Sequence, residues 1–374
     1  MKGLFIIIAI FVGLGLVLVV ILPFMLGYSS ESRPSSGSSV KTKDDIGFFK
    51  SQDGGASWEK KNESEERIPI NAFSILDFAF YPALVDKSGV YLKDSKIIFV
   101  GTKGGGLWKT EDGANSWKKV SDKNKILEAD AWVHKIAISK SNPDEMYLAV
   151  FQKNRGRILK SSDGGNSFIE VYFTPLEKFG VFDVFVDEAG TVFIVTGQGG
   201  FFESRDHGKT WKIVRWFKDG LIELAVNPNN YSTMYVLSPP GNIFKTPDKG
   251  KSWIDITPAL SEFDGAKINQ YLYIDPASSN LFLASNYGLL KSSSGGVSWD
   301  HVRVIIPPEA LPALAVATDP RNAGIIYVSA SSQLYKSSDG GTSWSVANSP
   351  SGKKLTMLKI DPKNPEVMYA VVSK

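Results

Sequence analysis

The feature that most constrains the fold of this chain is a short motif that occurs seven times. In the first copy Ser51 is followed by Asp53, Gly55 and Trp58, in the pattern Ser/Thr-x-Asp-x-Gly-x-x-Trp. The other copies begin 42 to 59 residues apart, at Thr110, Ser161, Ser204, Thr246, Ser292 and Ser337. A period of this size is typical of sheets repeated around a central axis.

Each copy reads as a turn between two strands. The last copy has Asp339-Gly340-Gly341 between the strand-like residues 333–335 and 343–346. Glycine tolerates the positive φ that such turns need, and a short carboxylate can accept bonds from the turn N–H groups. The Trp supplies a large apolar plate to bury between sheets, and Phe168 takes that place in the third copy. We therefore predict structural roles for the motif side chains Asp53, Asp112, Asp163, Asp206, Asp248, Ser294 and Asp339.

Two further strand signals precede every copy except the first. Residues 224–226 and 234–236 are one such pair, and the first strand ends in Asn227-Pro228, a turn opener. The first copy has no strand pair before it, and the last pair, within residues 355–371, has no motif after it. Joined, these two fragments make one more four-stranded unit. The sequence thus predicts an all-β, seven-bladed β-propeller over residues 45–374, closed by both termini.

These motifs resemble the Asp-box, or bacterial neuraminidase repeat, of β-propellers. The resemblance covers nearly all of the chain after residue 45 and implies the propeller fold. Families that carry this box range from sialidases to assembly factors and sorting receptors, so the box leaves the function open.

The N-terminal end reads as a membrane anchor. Residues 4–26 are almost wholly apolar, long enough for a helix to cross a bilayer, and no convincing cleavage site follows. We predict a transmembrane anchor at residues 1–28, with a cleaved signal as the alternative, and a flexible Ser-rich linker at residues 29–44. The chain has no Cys, which excludes a bacterial lipid anchor. Lys and Arg flank the apolar run on both sides, and the extracytoplasmic habit of Asp-box families favours a propeller outside the membrane.

Candidate site residues follow from aligning the first strands of the blades. The alignment places seven residues at matching positions near the ring's centre: Asp77, Lys135, Asp183, Glu223, Tyr271, Ala315 and Met357. Three carboxylates there could bind a sugar or a cation or act as acid and base; alternatively, they cap the channel wall or pair with Lys135. Trp132 and Trp216, in longer connections, are candidates for binding a protein or glycan. We predict no cofactor and no metal, because His134, His207 and His301 lack ligand spacing, and no nucleic-acid partner, because the net charge is only +3.

Two enzyme interpretations can be compared with the motifs. Arg67-Ile68-Pro69 is similar to a sialidase element, but in sialidases that element precedes the first box, whereas here it follows. Residues 101–110 and 361–365 resemble repeats of xyloglucan-cleaving glycoside hydrolases. Those enzymes work between two propellers, whereas this chain has one, in which Asp77 and Asp183 could be set apart as acid and base.

The layout of anchor, tether and single propeller resembles the photosystem II assembly-factor family and its relatives in non-photosynthetic bacteria. That resemblance implies a scaffold that binds a protein partner at a membrane. Our prediction is therefore a membrane-anchored extracytoplasmic binding or assembly module. The alternative is a glycan-binding or glycan-cleaving propeller that uses Asp77, Asp183, Glu223 and Trp132.

Overall fold

The computed structural model describes residues 45–82 and 96–373. The predicted anchor at 1–28 and linker at 29–44 lie outside these residues. Within the described ranges, no helix is long and apolar enough to cross a membrane. The helices found there are three short 3₁₀ turns at Ile70–Ala72, Thr257–Leu260 and Pro308–Ala310.

Strands make up the rest of the regular structure. In chain order they are β1 (Gly47–Ser51), β2 (Glu59–Lys60), β3 (Ser74–Phe80), β4 (Ile98–Lys103), β5 (Leu107–Thr110), β6 (Lys118–Lys119), β7 (Trp132–Ile138), β8 (Met146–Gln152), β9 (Arg155–Ser161), β10 (Ile169–Phe173), β11 (Val181–Val186), β12 (Val192–Thr196), β13 (Gly200–Ser204), β14 (Lys212–Trp216), β15 (Glu223–Val226), β16 (Met234–Leu237), β17 (Ile243–Thr246), β18 (Ile254–Asp255), β19 (Tyr271–Ile274), β20 (Leu281–Ser285), β21 (Gly288–Ser292), β22 (Asp300–Val302), β23 (Ala313–Asp319), β24 (Asn322–Ala330), β25 (Gln333–Ser337), β26 (Ser345–Ala347), β27 (Lys354–Ile360) and β28 (Met368–Ser373).

The strands form seven four-stranded antiparallel sheets, as the repeats predict. Blade 1 has the order β27-β28-β1-β2, and blades 2 to 7 follow as β3–β6, β7–β10, β11–β14, β15–β18, β19–β22 and β23–β26. Blade 1 is therefore built from both ends of the chain. In it Gly47 pairs with Val372 and Ser51 with Met368, which closes the ring.

Burial decreases from the middle of each blade to its rim. The second strands β12 and β20 are buried along their whole length, whereas the outer strands β10 and β14 are largely exposed. Apolar runs suit the second strands because a blade is covered on both faces by its neighbours. Between blades 1 and 2, for example, Phe48 packs edge-on against Phe78 and Trp117 with ring centroids 5.1 Å apart.

The motif turns are held by their hydroxyl as much as by their carboxylate. In blade 4 the Ser204 hydroxyl donates to Asp206 at 2.8 Å and accepts from the Gly208 N–H at 2.8 Å. Asp206 in turn accepts from the Thr210 N–H and hydroxyl at 2.8 and 2.6 Å. Gly208 has φ +87°, a conformation that L side chains rarely adopt. All seven turns have the bond from the fifth residue's N–H to the first residue's hydroxyl, at 2.7–3.1 Å.

Three of the motif tryptophans connect neighbouring blades through their indole N–H groups. The indole N–H of Trp117 in blade 2 donates to the Lys61 carbonyl after blade 1, and that of Trp211 in blade 4 donates to the Val171 carbonyl of blade 3. Trp58 makes the corresponding bond to Asn348 after blade 7. In the sixth turn Ser294 replaces the carboxylate and accepts from the Ser298 N–H at 2.9 Å.

Candidate functional site

The seven residues aligned from the sequence occupy equivalent positions on the inner strands. Asp77 pairs with Gly101, three residues after Ile98, and Ile98 faces the motif residue Thr110. The same spacing holds in the other six blades. In five inner strands an extra residue interrupts the register just before the aligned position. A repeated bulge of this kind re-aims the side chains that follow it.

Strand direction defines the two faces of the ring. The connections between blades enter at the start of each inner strand, on the same face as the hairpins between second and third strands. We call this the loop face. The motif turns lie on the opposite face, which we call the box face.

Asp77 links blade 2 to both of its neighbours. Its carboxylate is buried, accepts from the Ile136 N–H of blade 3 at 3.0 Å and pairs with the Lys359 ammonium of blade 1 at 2.9 Å. Lys359 also donates to the Phe78 carbonyl and lies 4.5 Å from the centre of the Phe78 ring. Each of the two carboxylate oxygens therefore has a partner in a neighbouring blade.

Asp183 forms the next link. It is 3% exposed, pairs with the Lys135 ammonium of blade 3 at 3.1 Å and accepts from the Leu224 N–H of blade 5 at 3.1 Å. Burial alone would lower the pKa of Lys135, but Asp183, Asp77 and Glu223 together raise it above its ordinary value. Lys135 therefore stays protonated at any physiological pH.

Glu223 differs from the two aspartates because it has no cation of its own. Burial raises its pKa to about 8, with Lys135 opposing the rise, Asp183 adding to it, and the nearby Leu272 N–H of blade 6 opposing it. No lysine or arginine among the described residues forms an ion pair with it. Near neutral pH this carboxyl is therefore mostly protonated.

Beside Glu223 lies an open recess of about 380 Å³ between blades 5 and 6. Its wall includes Glu223, Ala225, Tyr271, Tyr273 and Lys135. The Tyr273 hydroxyl is 3.1 Å from the Thr318 hydroxyl of blade 7. Burial and the nearby Glu223 raise the pKa of Tyr271, so its hydroxyl stays protonated.

The carboxylates of Asp77 and Asp183 share one structural role. The N–H groups that they bind belong to Ile136 and Leu224, each of which directly follows the aligned residue of the next blade. The two aspartates therefore fasten blade 2 to 3 and blade 4 to 5. Blade 7 uses a hydroxyl instead: Ser329 donates to the Leu355 carbonyl of blade 1 at 2.8 Å. The aligned residues of blades 7 and 1, Ala315 and Met357, bring no charge.

Lys359 and Ser329 belong to this network, but aligning the first strands of the blades did not identify them. Lys359 lies two residues after the aligned Met357. The period of two along a strand therefore places both side chains on the channel side, and that signal could have identified it. Ser329 lies on a second strand, where nothing in the sequence distinguishes it.

The two predicted binding tryptophans lie in different places. Trp132 begins inner strand β7 at the loop face, where its ring is 6.3 Å from both His134 and Phe151, and Lys103 lies 4.6 Å above it. Phe182 stacks edge-on against His134 at 5.2 Å. We call Trp132, His134, Phe151 and Phe182 the aromatic group; each is only partly buried. Trp216 ends outer strand β14 and is 51% exposed, three strand spacings, or about 14 Å, from the inner strand of its blade.

The histidines do not converge. Burial lowers the pKa of His134 to about 4, and its Nε2 has no hydrogen-bond partner among the described residues. His207 lies at the box face, 2.9 Å from Glu145, and His301 lies on outer strand β22. In the part of the chain that the structure describes, no group of three or more His, Asp or Glu residues could hold a metal ion. Arg67, from the sialidase-like tripeptide, is exposed on the connection between blades 1 and 2.

A larger groove of about 570 Å³ lies at the box face between blades 4 and 5, away from the predicted binding residues. Two of its cations are already balanced: Arg205 pairs with Glu203 at 3.0 Å and Lys249 with the buried Asp187 at 2.7 Å. We therefore interpret the groove as the space between two neighbouring blades and not as a charged binding site. The channel wall remains the stronger candidate because its charged residues converge from five blades.

No family model matches this chain, and no curated protein is similar to it in sequence. Solved structures show the same fold. YCF48 from Cyanidioschyzon merolae is 14% identical with a TM-score of 0.61, and the alignment covers 80% of this chain and 96% of that one. YCF48 bound to a D1 peptide is also 14% identical with a TM-score of 0.61, over 81% of this chain and 94% of that one.

A GH74 enzyme from Niastella koreensis is 18% identical with a TM-score of 0.59, over 80% of this chain and 53% of that one. This chain thus spans about half the length of that enzyme. At such identities the similarity establishes the fold alone. The chain is a seven-bladed β-propeller, and its structural neighbours include YCF48 and GH74 enzymes.

Proposed function

We propose that this protein is a binding or assembly scaffold, anchored in a membrane by residues 1–28, with its propeller on the extracytoplasmic side. The observation that carries the proposal is the use of the channel carboxylates. Asp77 and Asp183 are each bound to a lysine and to a backbone N–H of the next blade. Carboxylates held in this way stiffen the ring and are poorly placed for acid–base chemistry.

The loop face supplies the surface that such a scaffold needs. The aromatic group lies beside the channel mouth, and partly exposed aromatic side chains next to charges are typical of binding hot spots. The structural neighbours that this chain matches over most of their length include YCF48, one structure of which holds a D1 peptide. The apolar residues 4–26 and the following linker support the tethered layout.

The test is site-specific photo-crosslinking of the full-length protein in its native membrane. A photoreactive residue replaces Asp130, which is exposed two positions before Trp132, and in a matched control replaces Val297, which is 66% exposed at the box face. We expect a discrete protein adduct from position 130 and none from position 297. Equal adducts from both faces, or none from either, would contradict the proposal.

Alanine variants refine the same test. Trp132→Ala should lower the yield of the adduct severalfold, whereas Trp216→Ala, on the outer strand, should leave it unchanged. Loss with Trp216→Ala alone would move the docking surface to the rim. Protease added to intact cells should cleave the propeller if it lies outside, and a protected propeller would overturn the proposed location.

A glycan-directed function is the second candidate, favoured by one observation. Glu223 bears its proton near neutral pH and faces a recess, as a general acid would. Glu223→Gln should then abolish turnover or binding of a glycan on an array, whereas Asp77→Asn would act through ring stability. If no glycan is bound or cleaved by the parent protein, this candidate fails.

A further inference from the structure

The charges along the channel wall alternate until one carboxyl is left over. Lys359 pairs with Asp77 at 2.9 Å and Lys135 with Asp183 at 3.1 Å, going round from blade 1 to blade 4. Glu223 comes next, and the aligned position of the following blade carries Tyr271 instead of a lysine. Among the described residues at these positions, the wall thus has three carboxyl groups, Asp77, Asp183 and Glu223, and two cations, Lys359 and Lys135.

The open place beside Glu223 is the recess between blades 5 and 6. Tyr271 and Tyr273 lie along one side, and the small Ala225 on the other side leaves room. The Tyr271 hydroxyl has no hydrogen-bond partner among the residues that the structure describes, so it is available to a ligand. A carboxylate beside tyrosine rings is the combination that binds organic cations, through charge and through the electron-rich ring faces.

We propose that this recess is a binding site for an organic ammonium group, with Glu223 as its counter-ion and Tyr271 and Tyr273 as its wall. The ligand chemistry is that of a primary alkylammonium, either a small free amine or a lysine side chain of a bound protein. A metal ion fits less well, because Ca²⁺ needs six to eight oxygen ligands and one carboxylate supplies two at most. The proposal stands independently of the scaffold function.

The groups around Glu223 determine the pH dependence of binding. Lys135 and Asp183 face it from blades 3 and 4, Tyr271 from blade 6, and Asp77 lies further round the ring. Lys135 is neutralised by Asp183, so it does not exclude a second cation. Because burial raises the pKa of Glu223 to about 8, binding of an ammonium at neutral pH displaces the carboxyl proton to the buffer.

The experiment is titration calorimetry of the full-length, detergent-solubilised protein with n-butylammonium chloride, and with n-butanol as the uncharged control. The ammonium stays protonated between pH 7 and 9, since alkylamines resemble lysine with a pKa of about 10.4. We expect the binding constant to rise up to about tenfold between pH 7 and 9, with one proton released at pH 7. Binding without pH dependence, or equal binding of n-butanol, would overturn the proposal without any variant.

Two variants locate the site. Glu223→Gln should weaken binding at pH 9 at least tenfold and remove the pH dependence. Glu203→Gln is the matched control, because Glu203 is a buried carboxyl that pairs with Arg205 outside the channel, and it should bind like the parent. Equal binding by both variants would refute the assignment.

The source of the ammonium group is tested by comparing ligands. If Nα-acetyl-lysine methylamide binds as well as n-butylammonium, the recess suits a lysine of a protein partner, and Glu223→Gln should then also reduce the crosslinked adduct. If only the free amine binds, the recess takes a small molecule. Both results support an ammonium site, and a crosslinked partner that is unaffected by Glu223→Gln leaves the scaffold proposal standing on its own.

Discussion

Asp206 and Asp183 lie in the same blade and illustrate two opposite uses of a carboxylate. Asp206, in the box-face turn, accepts only from groups within four residues, led by the Thr210 hydroxyl and N–H, and these bonds lower its pKa to about 2. Asp183, on the channel wall, binds Lys135 and the Leu224 N–H, 48 and 41 residues away. Burial raises the pKa of Asp183, and those two bonds oppose the rise.

The difference separates local from global stabilisation. A turn aspartate organises its own hairpin and remains in contact with water. A channel carboxylate holds two blades together and has lost its water, so it depends on partners that arrive only when the ring forms. Removing one partner of a channel carboxylate should therefore lower the free energy of unfolding more than removing one hydrogen-bonding group from a turn.

The largest effect should come from removing the channel half of blade 1. Deletion of residues 355–374 removes nearly all of β27 and the whole of β28, and with them Lys359 and Tyr369. The edge of β1 and the apolar face of β23 are then uncovered, and we expect complete loss of the cooperative thermal transition by circular dichroism. A truncated monomer that melts near the parent temperature would show that the ring does not need its closure.

The next largest effect should come from breaking the Lys135–Asp183 pair. Lys135→Met leaves a buried carboxylate without its cation and should lower the free energy of unfolding by about 2–3 kcal/mol, less than for a fully buried pair because Lys135 is 36% exposed. Denaturation by urea measures this loss. The double variant Lys135→Met/Asp183→Asn should recover part of it, and a double variant as unstable as the sum of the single ones would contradict the pairing.

A substitution in a turn should lower the free energy of unfolding by a smaller amount. Ser204→Ala removes the hydroxyl that accepts from the Gly208 N–H, and leaves that buried N–H unpaired, at a cost of about 1–2 kcal/mol by urea denaturation. Ser345→Ala, on exposed outer strand β26, is the matched control and should be close to neutral. If Ser204→Ala equals or exceeds Lys135→Met, the contrast between turn and channel is wrong.

The sharpest contrast between the channel and the turns lies in the pH dependence of stability. The folded pKa of Glu223 is raised from 4.5 to about 8, so its contribution is fully present below pH 4.5 and is lost as pH rises through 8, by at most about 1.4 kcal/mol per pH unit. The turn aspartates Asp53, Asp206 and Asp339 have pKa values lowered to about 2. Their contribution is present above pH 3.8 and is lost as pH falls through 2.

Urea denaturation of two variants at a series of pH values separates these two contributions. Glu223→Gln should make the free energy of unfolding nearly independent of pH between pH 5 and 8, and should leave its fall at acid pH unchanged. Asp206→Asn should reduce only the fall at acid pH. If Glu223→Gln changes stability equally at all pH values, the carboxyl is not protonated in the folded channel.

The same contrast explains how much could be predicted from the sequence. The turn bonds span four residues, so Ser204, Asp206 and Gly208 are visible as a motif, and seven copies with two end fragments determine the blade number and the ring closure. The aligned channel positions could also be predicted, because every blade repeats the same register. Trp132 and Trp216, by contrast, were grouped by residue type, and only the strand order separates the loop face from the rim.

What the sequence by itself determined is therefore the repeated local structure: the hairpins, the four-stranded blades and the closed ring. What only the tertiary structure decided is which side chains meet across blades. Lys359 and Asp77 are 282 residues apart and become neighbours because the chain returns to its start. Glu223 is left without a cation for the same reason, since its surroundings are set by the strands on either side of it and not by residues near it in the chain.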